Sequence, residues 1–301
     1  MLTRIPDGAP YGIATGPDGA LWFTLVHQGR IGRMVPGHDP AVHQLDPADG
    51  GPTVIVAGAD GAMWFTEFQG GRIGRITASA PGTGPEAGFE VTSYEVGGAY
   101  GLAVGRDGAM WFTRLQADKV GRIDGDGTIT EYDVPAPGGM PSTIAAGSDG
   151  AMWFTLNQAD AIGRISPDGA VSVHPLPTEA AAPVGITAGP DGALWFVEIG
   201  AGQIGRIATD GTITEYPLPD RACRPHAIVT GPDDALWFTE WGAGRLGRIT
   251  PDGAVEEFDL PAVPGSAGAE PHGLTVGPDG ALWVALEAGG LARIAVPPPA
   301  G

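Results

Sequence analysis

The chain is poor in cysteine and in basic residues, and each shortage excludes a class of protein. Cys223 is the only cysteine among 301 residues, which excludes an intrachain disulfide and suits a reducing cytoplasm. Only 16 lysines and arginines stand against 35 aspartates and glutamates, so the formal net charge is −19. Binding to nucleic acid or to an anionic membrane surface requires a basic face. We therefore expect a cytoplasmic protein with neither nucleic-acid nor membrane partners.

Long apolar runs are also missing. No segment approaches the length needed to cross a bilayer, and the first residues, MLTRIPDGAP, lack the apolar stretch of a signal peptide. Glycine and proline, in contrast, are abundant, with 51 and 29 copies. They recur at fixed positions of an internal repeat, which favours ordered turns over low-complexity sequence.

The repeat is marked by tryptophan within phrases such as GPDGALWFTE, each followed downstream by a phrase like GRIGRI. Successive tryptophans lie 42 to 47 residues apart, at Trp22, Trp64, Trp111, Trp153, Trp195, Trp237 and Trp283. Repeats of this length, with short apolar runs and Asp-Gly turns, are typical of β-propellers. In residues 183–219 the sequence predicts four strands, VGITAG, ALWFVE, QIGRIA and TITEYPL, joined by tight turns. The predicted fold class is all-β, a seven-bladed β-propeller with four-stranded antiparallel blades.

The repeat runs from one end of the chain to the other, so we predict a single propeller domain over residues 1–301. The last repeat ends at GLARIAVPPPAG without a fourth strand. Residues Leu2–Ile5, in the phrase LTRIP, resemble the fourth strand of the other repeats. The N-terminal strand is therefore expected to close the last blade, which removes the exposed edge of an open sheet.

Candidate functional residues are those that break the repeat. Seven residues stand at the start of the innermost strand of each blade: Tyr11, Thr53, Tyr100, Ser142, Val184, His226 and His272. Glu270 precedes His272 by two residues, and the loop after the last tryptophan is one residue shorter than its counterparts and carries Glu287. Strand alternation places these loops on one face. We expect the two histidines, the two glutamates and Tyr11 to converge at one mouth of the central channel.

The other histidines and the repeated glutamates are expected to have no part in this site. The remaining histidines, predicted to lie away from it, are His27, His38, His43 and His174. Glu67, Glu198 and Glu240 share one repeat position, which favours a structural or solvated role. Arg114 and Trp241 lie near the same face and are candidates to line the cavity.

Two carboxylates and two imidazoles around an open position suit a divalent metal, and composition leaves its identity open. Two histidines and a glutamate are a familiar catalytic zinc set. Mg²⁺ prefers oxygen ligands and commonly takes one or two carboxylates together with water and substrate oxygens. Either metal can polarise a carbonyl and acidify the neighbouring C–H, and a neutral histidine can then accept that proton.

The blade phrases, together with PYGI near the start, RPHAI in the sixth repeat and EPHGL in the seventh, resemble the virginiamycin B lyase family over essentially the whole chain. The resemblance implies a Mg²⁺-dependent carbon–oxygen lyase that linearises streptogramin B-type cyclic depsipeptide antibiotics by β-elimination at the ester bond. It implies His272 as the proton acceptor, with Glu270 and Glu287 as Mg²⁺ ligands. It also implies His226 as a substrate contact and Tyr11 as a pocket residue near the ester. We expect a monomer that acts in antibiotic resistance on a small cyclic depsipeptide substrate.

Two other functions are compatible with the same residues at the mouth of the channel. The propeller could be a non-catalytic platform that binds peptides or proteins, or it could carry a metal-dependent lactonase. The sequence departs from the family in an insertion around residues 78–90 and in the phrase LWVALEAGG, where the family tends to have phenylalanine. Product mass separates the reactions, because elimination leaves it unchanged whereas hydrolysis adds one water.

Overall fold

The computed structural model describes residues 1–78, 88–266 and 268–296, so most of the predicted insertion around residues 78–90 lies outside the described ranges. Over these ranges the chain forms strands and no helix. The strands are β1 (Leu2–Arg4), β2 (Pro10–Thr15), β3 (Leu21–Leu25), β4 (Arg30–Met34), β5 (Ala41–Gln44), β6 (Pro52–Ala57), β7 (Met63–Glu67), β8 (Arg72–Ala78), β9 (Phe89–Glu95), β10 (Ala99–Val104), β11 (Met110–Arg114), β12 (Lys119–Ile123), β13 (Ile129–Asp133), β14 (Pro141–Ala146), β15 (Met152–Leu156), β16 (Ala161–Ile165), β17 (Val171–Pro175), β18 (Pro183–Ala188), β19 (Leu194–Glu198), β20 (Gln203–Ile207), β21 (Ile213–Pro217), β22 (Pro225–Thr230), β23 (Leu236–Glu240), β24 (Arg245–Ile249), β25 (Val255–Asp259), β26 (Pro271–Val276), β27 (Leu282–Leu286) and β28 (Gly290–Ile294).

These strands pair in seven four-stranded antiparallel sheets, and each sheet is one blade. Blades 1 to 6 take four consecutive strands each, from β2–β5 to β22–β25, and blade 7 has the order β1-β28-β27-β26. The predicted all-β fold is therefore confirmed: the chain is a seven-bladed β-propeller. Within the described ranges, no helix is long and apolar enough to cross a membrane.

The contacts divide the chain into two compact units. One comprises Met1–Leu102 and Pro261–Val296, and the other includes Ala103–Leu260. Blades 1, 2 and 7 belong to the first unit, and blades 4, 5 and 6 to the second. A single domain over residues 1–301 stays a prediction.

The expected closure by the N-terminal strand is confirmed. Strand β1 pairs with β28 in the register Leu2↔Ala292, Thr3↔Leu291 and Arg4↔Gly290. Ile5 continues this contact, since its amide donates a 3.1 Å hydrogen bond to the carbonyl of Gly289. The Ile5 side chain is 3% exposed and belongs to a core cluster that also contains Trp283 and Leu291. The first residues of the chain thus contribute both an edge strand and a core side chain to blade 7.

The phrases of the repeat reflect packing within a blade. Phe196 on β19 pairs with Gly205 on β20, and a Cβ atom on that glycine would lie 2.0 Å from the phenyl ring. The ring therefore fills the space that any side chain at this position would need. In blade 7 the corresponding pair is Val284 with Ala292. Valine is smaller than the phenylalanine that it replaces, and alanine is larger than the glycine. This exchange of volume accounts for the departure at LWVALEAGG.

In six blades the aspartate of the turn before the tryptophan strand accepts hydrogen bonds from the tryptophan and from the arginine of the next strand. In blade 5, Trp195 Nε1 donates a 3.0 Å hydrogen bond to Asp191 Oδ1, and Arg206 Nε donates one of 2.6 Å to Oδ2. The Arg206 guanidinium lies 6.0 Å from the centre of the indole ring, within cation–π range. The repeated Asp, Trp and Arg are thereby explained as a structural unit of the blade.

Glu67, Glu198 and Glu240 are at most 2% exposed, so of the two roles expected for them, structural or solvated, burial favours the structural one. Their partners differ. Arg72 donates two hydrogen bonds to Glu67, of 2.8 and 3.2 Å. Glu198 instead accepts a 2.6 Å hydrogen bond from the neutral amide of Gln203, and its other oxygen is buried without a hydrogen-bond partner among the described residues. Burial raises the pKa of Glu198 to about 7.

Replacing Glu198 with glutamine should change how stability depends on pH. The pKa of this carboxyl rises from 4.5 to about 7 on folding, so the folded state binds more protons between those values. The free energy of unfolding therefore falls as pH rises through this window, by up to about 3 kcal/mol. Glu198→Gln removes this loss and should be more stable than the wild type at pH 8 by about 1–3 kcal/mol.

Urea unfolding at pH 5 and pH 8 measures the effect. Glu67→Gln is the matched control, because it lies at the same repeat position but leaves Arg72 without its charged partner, and it should lower stability at pH 8. Equal losses of stability between pH 5 and pH 8 in the wild type and in Glu198→Gln would show that Glu198 does not titrate in this window.

Candidate active site

The candidate site lies in blade 7, where β26 begins and β27 ends. Pro271 pairs with Leu286, and just beyond this pair the amide of Glu287 donates a 3.0 Å hydrogen bond to the carbonyl of Glu270. The two glutamates are thus neighbours across the end of the ladder. The register of β26 shifts between Pro271 and Leu274, as it does at the same place in blades 1, 2, 4, 5 and 6. The irregular ladder around His272 therefore belongs to the repeat.

The carboxylate of Glu287 lies between two histidines. Its Oε2 atom is 2.5 Å from Nε2 of His272, and its Oε1 atom is 2.7 Å from Nε2 of His27. The His272 side chain is 9% exposed, whereas that of His27 is 64% exposed. Glu287 therefore joins a buried imidazole to a solvent-exposed one.

The position of His27 corrects a prediction. His27 is in the turn between β3 and β4 of blade 1, and the expectation that it lies away from the site is wrong. It occupies the fifth position after the blade tryptophan, where blades 2, 3 and 4 carry glutamine. The combination of this histidine with the closure of blade 7 beside blade 1 was the available signal.

The electrostatics of the site keep Glu287 ionised. The hydrogen bond with His272 lowers the pKa of Glu287 to about 2, with a further contribution from His27, even though burial acts in the opposite direction. A carboxylate with this pKa carries its negative charge throughout the physiological pH range. It can therefore accept a hydrogen bond from an imidazole, stabilise an imidazolium or bind a cation.

One tyrosine stacks on the buried histidine, and a second tyrosine contacts the first. The ring of Tyr11 stacks on that of His272, with centroids 4.4 Å apart and an interplanar angle of 28°. The Tyr11 hydroxyl is 3.2 Å from the Tyr100 hydroxyl, and the edge of Phe68 lies 6.0 Å from the Tyr100 ring. Burial, followed by the proximity of Tyr100 and Glu287, raises the pKa of Tyr11 well above its usual value, so its phenol stays neutral. The sequence places Tyr100 at the same strand position in blade 3 but gives it no part in the expected site.

Glu270 has an exposed side chain and a left-handed backbone conformation, with φ of 49°. The same conformation recurs two residues before the corresponding strand position in other blades, as at Met140, Ala182 and Arg224. The backbone geometry therefore belongs to the repeat, and only the carboxylate is particular to blade 7.

The donors present fit an oxygen-preferring cation. Within the ranges that the structure describes, no three histidine, cysteine, aspartate or glutamate side chains are close enough together to hold a metal ion. Glu270 and Glu287 supply two carboxylates from adjacent backbone positions, and Glu287 is ionised. Mg²⁺ commonly binds through one or two carboxylates and completes its shell with water and substrate oxygens.

His226 and the two candidate lining residues belong to the second compact unit. His226 is the second residue of β22, the position that His272 occupies in β26, and it is half-buried. Trp241 lies under the guanidinium of Arg224 at 5.6 Å, and Arg114 forms a 2.6 Å ion pair with Glu131. The structure thus brings Tyr11, Glu270, His272 and Glu287 together within one unit and describes His226 in the other.

The chain is similar in sequence and in structure to known proteins. The profile of the virginiamycin B lyase family matches residues 2–294. The chain belongs to the virginiamycin B lyase family. Curated relatives share shorter aligned stretches: a virginiamycin B lyase of Saccharopolyspora erythraea is 63% identical over 41 residues, and one of Mycolicibacterium smegmatis is 51% identical over 41 residues. Each stretch spans 14% of this chain and 14% of the relative.

Solved structures in the virginiamycin B lyase family match over nearly the whole length. A streptogramin B lyase is 42% identical, with 97% of both chains covered and a TM-score of 0.87. Virginiamycin B lyase from Staphylococcus aureus is 37% identical, with 99% of both chains covered and a TM-score of 0.90. A catalytically inactive histidine-to-alanine variant of the Staphylococcus aureus enzyme has been solved with quinupristin, and it is 36% identical to this chain. Family membership supports a lyase that inactivates an antibiotic.

Proposed function

We propose that the chain is a Mg²⁺-dependent carbon–oxygen lyase that linearises streptogramin B-type cyclic depsipeptides by β-elimination at the ester bond. The observation that carries this proposal is the buried His272, which is paired with an ionised Glu287 and covered by Tyr11. The quinupristin complex of the inactive Staphylococcus aureus variant supports the substrate class and the need for a histidine.

In the proposed reaction His272 is the base. The lone pair of the neutral imidazole is the proton acceptor. The proton comes from the α-carbon of the threonyl unit, and the electrons of that C–H bond form the Cα=Cβ double bond. The Cβ–O bond breaks, and the ester oxygen leaves as a carboxylate. Glu287 stabilises the imidazolium until its proton passes to solvent.

Glu270 and Glu287 are the residues that would hold Mg²⁺. When bound, the cation would polarise the carbonyl next to the acidic C–H and stabilise the enolate-like charge. Such help is needed, because general base catalysis alone supplies only about 10²–10⁴-fold acceleration. Tyr11 restricts the plane of the His272 ring by stacking and, like His226, is proposed to contact substrate. We further propose a monomeric, cytoplasmic protein whose role is resistance.

The product of turnover tests the proposal directly. Incubated with a streptogramin B depsipeptide and Mg²⁺, the protein should yield a linear product with the same mass as the cyclic substrate. The reaction should incorporate no label from ¹⁸O-water, and it should stop when EDTA removes the metal. Mass spectrometry of the product measures the first two outcomes.

Each alternative function predicts a different result in the same assay. A linear product heavier by one water, carrying ¹⁸O, would identify a metal-dependent lactonase. Binding of the depsipeptide without any product would identify a non-catalytic platform. A linear standard made by alkaline hydrolysis of the ester provides the reference for the hydrolytic mass.

A further inference from the structure

The second oxygen of Glu287 has a partner from another blade. His27 Nε2 lies 2.7 Å from Oε1, while Oε2 faces His272 at 2.5 Å. We infer that His27 is a positioning residue, which holds the Glu287 carboxylate in the orientation that serves His272. This inference rests on the proposed function, in which Glu287 supports the base and binds the cation.

Glu287 needs such a partner because little else fixes its side chain. It follows the last residue of β27, and its amide donates a hydrogen bond to the carbonyl of Glu270. The loop that carries it is shortened and turns at Gly289, which has a φ of 112°. The Glu287 side chain is 23% exposed, so one oxygen can turn toward solvent when nothing holds it. A carboxylate that rotates presents its second oxygen to His272 for only part of the time.

The same position in the other blades shows that the pair is particular to this site. The fourth residue after the blade tryptophan is uncharged in blades 1 to 6: Val26, Phe68, Leu115, Asn157, Ile199 and Trp241. Among the blades, only the seventh has a carboxylate there, and only the first has a histidine at the following position. The two exceptions are the residues that meet.

A contribution to stability does not account for this pair. His27 is 64% exposed, and ion pairs or hydrogen bonds of exposed side chains contribute little to folding. In contrast, removing the hydrogen-bond partner of a metal-binding carboxylate typically lowers metal affinity or activity by about 10–100-fold. Variants of His27 should therefore lose activity and Mg²⁺ affinity but keep the stability of the wild type.

The experiment compares His27→Ala, His27→Gln and His38→Ala with the wild-type protein. Glutamine can return an N–H donor toward Oε1, so it tests rescue. His38 is an exposed histidine of the same blade, in the turn between β4 and β5, and provides the matched control. The readouts are kcat and KM for a streptogramin B depsipeptide at saturating Mg²⁺, the Mg²⁺ affinity by calorimetry without substrate, and the unfolding temperature.

His27→Ala should lower kcat by about tenfold with little change in KM, and should weaken Mg²⁺ binding by a similar factor. His27→Gln should recover most of both losses, and the three unfolding temperatures should agree with that of the wild type. Unchanged kcat and Mg²⁺ affinity in His27→Ala would overturn the inference. Tighter Mg²⁺ binding would also overturn it, because His27 would then compete with the cation.

The two proposals fail in different ways. An active wild-type lyase with an equally active His27→Ala variant leaves the proposed function intact and rejects the role of His27. A wild-type protein that binds Mg²⁺ but turns over no depsipeptide rejects the proposed function, and the calorimetric comparison of the variants still decides the role of His27. A wild type that neither binds Mg²⁺ nor turns over substrate rejects both.

Discussion

Replacing His272 with alanine should abolish turnover of the depsipeptide while the fold remains. Removing a general base typically lowers the rate by about 10²–10⁴-fold. The other imidazole that contacts Glu287, that of His27, is 64% exposed. The truncation leaves the backbone of β26 in place. The loss of one stacked ring beside Tyr11 should lower the free energy of unfolding by only about 1 kcal/mol.

Steady-state kinetics and thermal unfolding together test this expectation. His174→Ala is the matched control, because His174 also stacks on an aromatic ring, Trp153, at an interplanar angle of 28° but lies on the outer strand of blade 4. It should keep wild-type kcat. A His272→Ala protein that retained a tenth or more of the wild-type kcat would remove His272 from the role of base, and His226 would be the next candidate.

The fold could be predicted because one sequence pattern recurs in seven copies. Each copy places the same tryptophan, turn aspartate and arginine at fixed spacing, and the structure shows these three side chains bonded to one another in blade 5. The strand at Leu2–Arg4 was predictable for the complementary reason, since the last copy lacks its fourth strand. Local signals that agree in every repeat leave few alternative folds.

The site residues that deviate from the repeat could be predicted from the sequence. Contacts that depend on distances in the folded chain could not. Tyr11, His272 and Glu287 deviate from the consensus at positions that share a face, and they do meet. His27 was missed because its partner is 260 residues away, and only the closed order of the blades makes them neighbours. The Tyr11–Tyr100 contact likewise depends on the distance between two hydroxyls, which no repeat position encodes.

The buried glutamates show a second property that the sequence does not predict, namely the pKa of a buried side chain. One repeat position holds Glu67, Glu198 and Glu240, which the sequence assigns a structural or solvated role. Their partners at the residue five places later differ, because a bidentate arginine faces Glu67 whereas a neutral glutamine faces Glu198. Burial raises the pKa of both Glu198 and Glu240 to about 7. Neither the depth of burial nor the resulting pKa follows from residue spacing.

Deleting residues 1–8 should destabilise the protein by several kcal/mol and remove activity with it. The deletion takes away β1, and with it the three residue pairs that join it to β28. It also removes the 3%-exposed side chain of Ile5 from the core around Trp283. Burial of an isoleucine contributes about 2–3 kcal/mol, and each lost hydrogen bond about 1 kcal/mol. The sum, about 5 kcal/mol, is comparable with the whole stability of many domains.

Urea unfolding measures the loss, and light scattering reports association through the newly exposed edge of β28. Ile5→Ala separates the core contribution, since it keeps β1 and should lose about 2–4 kcal/mol. Ile129→Ala, at a site that is 37% exposed, is the matched control and should lose less than about 1 kcal/mol. Activity should fall with the deletion because Gly289, which accepts the hydrogen bond from Ile5, lies two residues after Glu287. A shortened chain with the wild-type unfolding midpoint would mean that β1 adds nothing to blade 7, and that β27 holds the Glu287 loop without it.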